Sequence, residues 1–266
     1  MTDKYGRRIN YLRISVTDRC NLRCRYCMPP GGVPLLRHSD LLSYEEITEV
    51  AGEAVALGFD KVRLTGGEPL VRRGVVELVA MLADLDGIAD LAMTTNGVLL
   101  GEYAGPLKWA GLLRVNVSLD TLNPRRYEEL TGGGDLTRVV AGIEAARAAG
   151  LTPIKLNCVV EGSTDEPDAQ SVRRFARVNG LEVRFIRRMD LTSGRFWVVE
   201  GGSGGDCRAC NRLRLSSDGL IRPCLFSDLG FSVRRLGARQ ALELAIDAKP
   251  ESGEACFEST FSRIGG

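Results

Sequence analysis

Residues 11–27 read Tyr-Leu-Arg-Ile-Ser-Val-Thr-Asp-Arg-Cys-Asn-Leu-Arg-Cys-Arg-Tyr-Cys and place three cysteines directly after a predicted β-strand. Apolar and polar side chains alternate from Tyr11 to Thr17, as in a strand that buries one face. Cys20, Cys24 and Cys27 follow, and three thiolates so close together can bind three irons of a 4Fe–4S cluster while the fourth iron stays open to a small molecule. The alternatives are three unrelated thiols, or a zinc site lacking one ligand that the lone His38 could supply.

Five further runs alternate in the same way, and helical patterns separate several of them. The runs are Lys61–Thr65, Leu91–Thr95, Leu112–Asp120, Pro153–Val160 and Leu181–Met189. Helices are predicted over 44–57, 74–85 and 136–149; Ser43 and Glu46 form a capping box before the first, and Gly150 ends the last. Alternating strands and helices predict parallel strands joined by right-handed crossovers, an α/β architecture.

The polar side chains of these strands lie at alternate positions, on one face of each strand, and many of them are basic. The set comprises Arg13, Ser15, Lys61, Arg63, Thr65, Arg114, Asn116, Ser118, Asp120, Lys155, Asn157 and Arg184. One interpretation is an open sheet with a solvated face, but parallel sheets are usually covered on both faces. We therefore expect an incomplete, TIM-like (β/α)6 barrel whose polar lumen holds an anionic ligand.

Composition and charge exclude several classes of protein. The chain has 266 residues, enough for one large domain or a domain with an appendage, and is 44% hydrophobic and 26% charged. Its formal net charge of +1 gives no general surface for nucleic acid or for an anionic membrane. No apolar run approaches the roughly 18–20 residues of a membrane span, and the N-terminus lacks a secretory signal. We expect a cytoplasmic protein whose eight cysteines are metal ligands or thiols rather than disulfides.

A second cysteine group lies near the C-terminus. Cys207, Cys210 and Cys224 follow a glycine-rich stretch, 201–205, that predicts a flexible connection. A two-stranded ribbon turning at Asp218-Gly219 would bring the last two cysteines together. The alternative is a structural zinc site, which Cys256 could complete. Cys158 and Cys256 are otherwise expected to be small buried hydrophobic residues.

The first cysteine motif resembles that of the radical S-adenosylmethionine superfamily, and later segments resemble that superfamily as well. They are Thr65-Gly66-Gly67-Glu68-Pro69, Thr94-Thr95-Asn96-Gly97 and Ser118-Leu119-Asp120. The resemblance implies that the open iron binds the amino and carboxylate groups of S-adenosylmethionine, whose cleavage yields a 5′-deoxyadenosyl radical. It also implies that Tyr26, Gly67, Thr94, Ser118 and Met189 seat this cofactor, with Gly67 at its methionine end and Tyr26 beside its adenine.

The segments 11–21 and 210–226 resemble the GTP 3′,8-cyclase family, also called molybdenum cofactor biosynthesis protein A. This resemblance implies a second 4Fe–4S cluster on Cys207, Cys210 and Cys224 whose open iron contacts the guanine of GTP. It implies hydrogen removal at C3′, attack on C8, and a C-terminal Gly265-Gly266 tail that serves catalysis. The residues implied to bind GTP are Arg13, Lys61, Arg63, Lys155, Arg184, Arg212 and Arg214.

The same resemblance implies a domain plan and a set of partners. Residues 1–190 would form the radical S-adenosylmethionine partial barrel, 191–206 a shortened glycine-rich link, and 207–266 the C-terminal segment of the second cluster. An unidentified electron donor would reduce the clusters, and a downstream enzyme that forms cyclic pyranopterin would take the product. A homodimer is also implied, with no nucleic acid and no membrane as partner.

The chain departs from this family in three places, one of which is segment 161–170, where the sequence diverges from the expected loop. Its link between the sixth strand and the second cluster lacks several tens of residues that family members usually carry, and Arg187 stands where they usually have an acidic residue. Two other functions therefore stay open: a different radical enzyme with a second cluster, such as a peptide-modifying enzyme, or an inactive relative with a structural metal site.

Overall fold

The computed structural model describes residues 1–27, 32, 34–190, 192–257 and 264. Within them one nine-stranded sheet forms in the order β6-β5-β4-β3-β2-β1-β7-β8-β9. The strands are β1 (Tyr11–Ser15), β2 (Lys61–Thr65), β3 (Asp90–Thr95), β4 (Arg114–Ser118), β5 (Lys155–Val160), β6 (Glu182–Arg187), β7 (Arg212–Leu215), β8 (Leu220–Arg222) and β9 (Phe231–Ser232). The helices are α1 (Tyr44–Ala56), α2 (Val75–Ala83), α3 (Leu100–Trp109), α4 (Pro124–Thr131), α5 (Leu136–Ala148), α6 (Pro167–Val178), α7 (Val233–Leu236) and α8 (Ala238–Asp247).

The six predicted strands are the parallel strands β1 to β6, and the helices lie between them in sequence as the pattern indicated. The sheet does not close on itself, because β6 and β9 are its two edges. The prediction of an incomplete barrel is therefore confirmed.

Local sequence explains how α1 begins. The Ser43 Oγ accepts a hydrogen bond from the Glu46 backbone N–H at 3.1 Å, and the Glu46 carboxylate accepts one from the Ser43 N–H at 2.7 Å. This predicted capping box satisfies two N–H groups that the first turn leaves free. Ile47, Val50, Ala51 and Ala54 then face the core.

The apolar side chains at alternate strand positions form the core beneath the helices. Six of its members are fully buried: Leu12, Ile14, Leu64, Val115, Val117 and Leu156. Each contributes about 1.5–3 kcal/mol by leaving water. Because neighbouring side chains along a strand point to opposite faces, burying these side chains sends the polar ones to the other face.

The C-terminal segment extends the same sheet. β7 pairs with β1 in parallel, whereas β8 and β9 are antiparallel, and β7 and β8 form the predicted ribbon. Gly219 takes a φ of +89° in its turn. α8 buries Leu242 and Ile246 and packs against α1. Within the described ranges no helix is long and apolar enough to cross a membrane.

The connection from β6 to β7 makes more contacts than the expected flexible spacer would. Glu200 and Phe185 exchange backbone hydrogen bonds at 3.0 and 3.2 Å, and the Arg187 guanidinium lies 4.1 Å from the ring centre of Trp197. Gly201 and Gly205 have φ of +77° and +78°, and a Cβ on either would collide with a backbone carbonyl. Gly201 thus permits close packing against β6, and Gly205 permits a tight turn within the connection.

Candidate active site

The first three cysteines lie beyond the carboxyl end of β1, beside the ends of β2, β3 and β4. They line a cavity of about 190 Å³. Backbone hydrogen bonds from Arg23 to Thr131 at 2.8 Å and from Arg25 to Leu130 at 3.1 Å join their loop to the end of α4. The cysteine loop is therefore held by a helix distant in sequence, which no spacing rule could reveal.

The glycine motif after β2 supports the segment that leads into this loop. The Gly67 N–H donates to the Thr17 carbonyl at 2.7 Å, and the Glu68 N–H donates to the Arg19 carbonyl at 2.8 Å. A Cβ on Gly66 or Gly67 would collide with the Thr17 or Arg19 carbonyl, and Gly66 has a φ of +151°. The resemblance placed Gly67 at the methionine end of S-adenosylmethionine; in the structure the two glycines also let two backbone segments touch.

Glu68 joins the ends of β2 and β3. One of its carboxylate oxygens accepts hydrogen bonds from the Thr95 hydroxyl at 2.7 Å and the Leu70 N–H at 3.1 Å, and the other accepts from the Asn96 N–H at 2.7 Å. Burial raises the pKa of Glu68 to about 7. The Asn96 amide nitrogen lies 3.8 Å from the Cys20 Sγ, so this network reaches the cysteines. Glu68 belongs to the glycine motif after β2, but its position there predicts no such role.

The five residues expected to seat S-adenosylmethionine all line this first cavity: Tyr26, Gly67, Thr94, Ser118 and Met189. The Tyr26 hydroxyl donates to Asp120 at 2.8 Å, and Asp120 also accepts from the Val159 N–H at 2.8 Å. Burial raises the pKa of Asp120 to about 6. Tyr26 is thereby fixed in the wall of the cavity by Asp120, which lies just after β4.

The donor set of the first cysteines suits an iron–sulfur cluster. Burial, followed by repulsion from the neighbouring cysteines, raises the pKa of Cys24 strongly and that of Cys27 to about 12, and burial raises that of Cys20. Iron ligation requires thiolates and offsets their charge. Among the described residues no three Cys, His, Asp or Glu side chains are grouped so that they could hold a single metal ion. A 4Fe–4S cluster does not require three ligands on one metal ion, because each of the three thiolates would bind a different iron and the fourth iron would stay open.

A second cavity, of about 300 Å³, contains the other three cysteines and most of the basic residues of the strands. Its lining has eight basic side chains and two carboxylates. The basic residues are Arg13, Lys61, Arg63, Arg114, Arg184, Arg212, Arg214 and Lys249. Such an excess suits a polyanionic ligand, because buried charges require partners.

Strand register brings these cations together in two rows. Arg214, Arg13 and Arg63 lie opposite one another across β7, β1 and β2. One pleat away, Arg212, Tyr11 and Lys61 form the second row. Burial lowers the pKa of Arg214 to about 10 with help from Arg212, and burial followed by repulsion from Arg214 and Arg63 lowers that of Arg13. Since arginine keeps its charge in proteins, these shifts reflect the cost of burying the charges and, after it, their mutual repulsion; a bound anion would offset both.

Several buried polar atoms in the two cavities have no hydrogen-bond partner within the described part of the chain. They are the Tyr11 hydroxyl, Arg63 Nε, Arg184 Nε, the Thr94 hydroxyl and Asn157 Oδ1. Such atoms are uncommon in folded proteins and cost free energy unless a ligand or water pairs with them. Together they mark where a polar ligand would bind.

The second cysteines are close to a lysine that the sequence analysis missed. Lys249 is only 1% exposed, and its ammonium donates to the Arg212 carbonyl at 2.7 Å and the Pro223 carbonyl at 2.8 Å. Burial would raise the pKa of Cys210, but the Lys249 ammonium and the Arg212 N–H outweigh it and lower this pKa. A lysine in a C-terminal loop gave no signal in the sequence.

Two expectations fall outside this grouping. Lys155 does not line the second cavity; its ammonium pairs at 2.5 Å with Glu182, which register places opposite it on β6. Gly265 and Gly266 lie outside the described residues, although the carbonyl of nearby Ile264 accepts a hydrogen bond from Arg214 at 3.4 Å. Arg114 was not expected to bind a ligand but lines the cavity, paired with Asp90 at 2.5 Å.

The two cavities meet at three residues. Asn157, Ile186 and Met189 belong to the lining of both. Asn157 lies on β5 opposite Ser118 on β4 and Arg184 on β6. A molecule bound in one cavity would therefore lie next to a molecule bound in the other.

Sequence comparison relates the chain to named proteins. Residues 14–175 match the model of the Radical SAM superfamily. The chain is similar to a GTP 3′,8-cyclase of Peptoclostridium acidaminophilum, with 45% identity over 86% of this chain and 84% of the relative. It is also similar to a GTP 3′,8-cyclase of Alkaliphilus oremlandii, with 40% identity over the full length of both.

Solved structures share the fold at low sequence identity. One is Streptococcus suis SuiB bound to S-adenosylmethionine, with 18% identity and a TM-score of 0.57 over 70% of this chain and 42% of that protein. Another is anSMEcpe with bound AdoMet and the Kp18Cys peptide, with 15% identity and a TM-score of 0.63 over 91% of this chain and 81% of that protein. At such identities the likeness concerns the fold alone.

Proposed function

The chain belongs to the radical S-adenosylmethionine superfamily and, within it, to the family of GTP 3′,8-cyclases, and from this membership we propose that it converts GTP to 3′,8-cyclo-7,8-dihydro-GTP in molybdenum cofactor biosynthesis. The observation that carries this proposal is the pair of adjoining cavities. Each has its own three cysteines, and only the second has the cation excess that a triphosphate requires. A peptide substrate would not need that excess.

The two cysteine groups would hold two 4Fe–4S clusters. Cys20, Cys24 and Cys27 would bind the first, and Cys207, Cys210 and Cys224 the second. When bound there, the first cluster would supply the electron that cleaves S-adenosylmethionine to methionine and a 5′-deoxyadenosyl radical, and this radical would remove the hydrogen atom from C3′ of the ribose.

The other side chains bind and orient. Tyr26, Gly67, Thr94, Ser118 and Met189 would seat S-adenosylmethionine in the first cavity. Arg13, Lys61, Arg63 and Arg184 would neutralise the triphosphate, which brings about four negative charges. Arg212 and Arg214 would hold the nucleotide beside the second cluster. The enclosed lumen would protect a radical from side reactions.

The shortened link is compatible with this function. The alignment with the Alkaliphilus relative extends over 320 positions, although this chain has 266 residues, so several tens of positions in that alignment have no residue here. The remaining link still contributes Phe196, Trp197 and the stretch 202–206 to the wall of the second cavity. The Arg212 guanidinium donates to the Ser203 carbonyl and hydroxyl, both at 3.0 Å, and so anchors this wall beside the proposed nucleotide site.

The partners follow from the family. An electron donor would reduce the clusters, a downstream enzyme that forms cyclic pyranopterin would consume the product, and the chain would act as a homodimer. The cytoplasm remains our proposed location, because a reducing compartment keeps cysteines available for iron.

Anaerobic reconstitution with iron and sulfide tests the proposal. We expect about eight irons per chain and, with dithionite, S-adenosylmethionine and GTP, both 5′-deoxyadenosine and a cyclised nucleotide on chromatography. Cys224→Ser should lose the cyclised product but retain the first cluster and uncoupled 5′-deoxyadenosine formation. Cys256→Ala is the matched control, since Cys256 lies near Cys224 without being a proposed ligand.

The possible failures are distinct. Formation of 5′-deoxyadenosine with unchanged GTP would leave a radical enzyme with a different substrate. Failure to load iron at either site, without 5′-deoxyadenosine, would favour the inactive relative. Loss of metal at the second site in Cys256→Ala would point to a four-ligand structural site instead of a cluster with an open iron.

A further inference from the structure

Lys249 links the backbone at the start of β7 to the backbone after β8, next to Cys210 and Cys224. The Arg212 carbonyl, 2.7 Å from its ammonium, is two residues beyond Cys210 and belongs to the start of β7. The Pro223 carbonyl, 2.8 Å away, directly precedes Cys224 at the end of β8. One buried ammonium thus bridges the backbone next to both cysteines.

Arg7 does the same for Cys207. Its guanidinium donates to the Cys207 carbonyl at 2.8 Å and to the Glu251 and Pro250 carbonyls at 3.0 and 2.7 Å. Asp3 pairs with Arg7 at 2.7 Å and balances its charge. Since Pro250 directly follows Lys249, the two cations form one connected frame around the three cysteines. None of these bonds involves the link.

The charge of Lys249 requires a partner that the protein alone does not supply. Carbonyl dipoles solvate its ammonium but do not neutralise it, and a buried charge is costly unless it is paired. Among the described residues no carboxylate forms an ion pair with Lys249. Cys210 and Cys224 are the acidic groups close enough to favour its charge, and they would supply negative charge once they are ionised as cluster ligands.

Resting on the proposed function, which gives these cysteines a cluster, we propose that Lys249 is a positioning residue for the second cluster. Its carbonyl bonds keep the backbone next to Cys210 and Cys224 in place, and its charge stabilises the thiolates and the cluster on them. The support for this cluster then comes from the two ends of the chain, through Arg7 and Lys249, which is how a chain with a short link retains the site.

The test isolates the second cluster. In full-length protein carrying Cys20→Ser, Cys24→Ser and Cys27→Ser, we would load iron anaerobically and measure two properties: the rate of iron loss to a chelator, and the midpoint potential by redox titration with electron paramagnetic resonance. Neither measurement needs GTP or S-adenosylmethionine, so either can succeed when cyclisation fails. Lys249→Met removes charge and donors at similar volume, Lys249→Arg retains both, and Lys108→Met, exposed on α3, is the control.

We expect Lys249→Met to lose iron ~10- to 100-fold faster, the size of effect seen when residues that support metal ligands are replaced. Its midpoint potential should be more negative, because the reduced cluster no longer has a nearby cation. Lys249→Arg and Lys108→Met should remain within about threefold of the parent in rate. Unchanged rate and potential in Lys249→Met would overturn the proposal, as would a parent that loads no cluster.

If Lys249→Met does not fold, Lys249→Gln replaces it, since its amide can still donate to the carbonyls without a charge. Folding is checked in the otherwise wild-type chain by uncoupled 5′-deoxyadenosine formation, which depends on the first cluster. Faster iron loss in the Gln variant than in the Arg variant supports the role of charge, and equal rates in the two refute it.

Discussion

Replacing Arg63 by methionine should weaken GTP binding about 100-fold without destabilising the ligand-free protein. Arg63 is 6% exposed, lines the second cavity, and has a buried Nε with no partner among the described residues. A hydrogen bond to a charged partner contributes about 1.5–3 kcal/mol, and the upper value corresponds to a factor of about 100 in affinity. Methionine fills much of the same space and restores neither the charge nor the donors.

The ligand-free protein should respond in the opposite sense. Burial and repulsion from Arg114 and Arg184 lower the pKa of Arg63, so its charge is unfavourable until an anion arrives. We therefore expect the free energy of unfolding of the apo variant to equal or exceed that of the wild type. The same reasoning predicts that salt weakens GTP binding less in the variant, because one fewer cation contributes.

Equilibrium binding of GTP under anaerobic conditions measures the affinity, denaturant unfolding measures stability, and chromatography follows uncoupled 5′-deoxyadenosine. Arg138→Met is the matched control, because Arg138 on α5 is exposed and pairs with Glu102 at 2.8 Å, away from both cavities. An affinity change below about threefold would refute the reasoning. So would a parallel loss of 5′-deoxyadenosine formation, which would mean that Arg63 supports the whole fold.

Three further predictions follow from the site. Gly67→Ala should lose the first cluster and 5′-deoxyadenosine formation, because its Cβ would collide with the Arg19 carbonyl. The control is Gly105→Ala, where a Cβ meets nothing within 4 Å and iron should load normally. Equal iron content in the two variants would contradict this account. Asn157→Ala should raise the ratio of 5′-deoxyadenosine to cyclised product, since Asn157 lines both cavities, and an unchanged ratio would remove it from the contact between cofactor and substrate. Asp120 binds a proton more tightly when folded, its pKa being raised to about 6 from 3.8. Its contribution to the stability of the apo protein is therefore largest below about pH 4, and up to about 3 kcal/mol of it is lost as the pH rises through 6. In Asp120→Asn the free energy of unfolding should not show this fall. Equal pH profiles for the variant and the wild type would show that Asp120 is ionised at lower pH.

The sequence by itself predicted the six parallel strands, the helices α1, α2 and α5, and the two groups of cysteines. A period of two distinguishes the face of β1 to β6 that is buried from the face that is polar, and Cys20, Cys24 and Cys27 are so close in sequence that few folds could separate them. The residues expected to seat S-adenosylmethionine follow the ends of successive parallel strands, which necessarily meet at one edge of the sheet.

Tertiary structure decided which residues of the polar face act together. Parity assigns Arg13, Arg63 and Lys155 to the same side of the sheet, but only strand register places the first two in one row with Arg214 and places Lys155 opposite Glu182. Register depends on the packing of whole strands against the helices, which a single strand's pattern does not contain. The support of the second cysteines is also nonlocal. Arg7 lies 200 residues before Cys207, and most of the chain separates it from Lys249. The carbonyls that these two cations bind come together only when β7 joins β1 and α8 packs on α1.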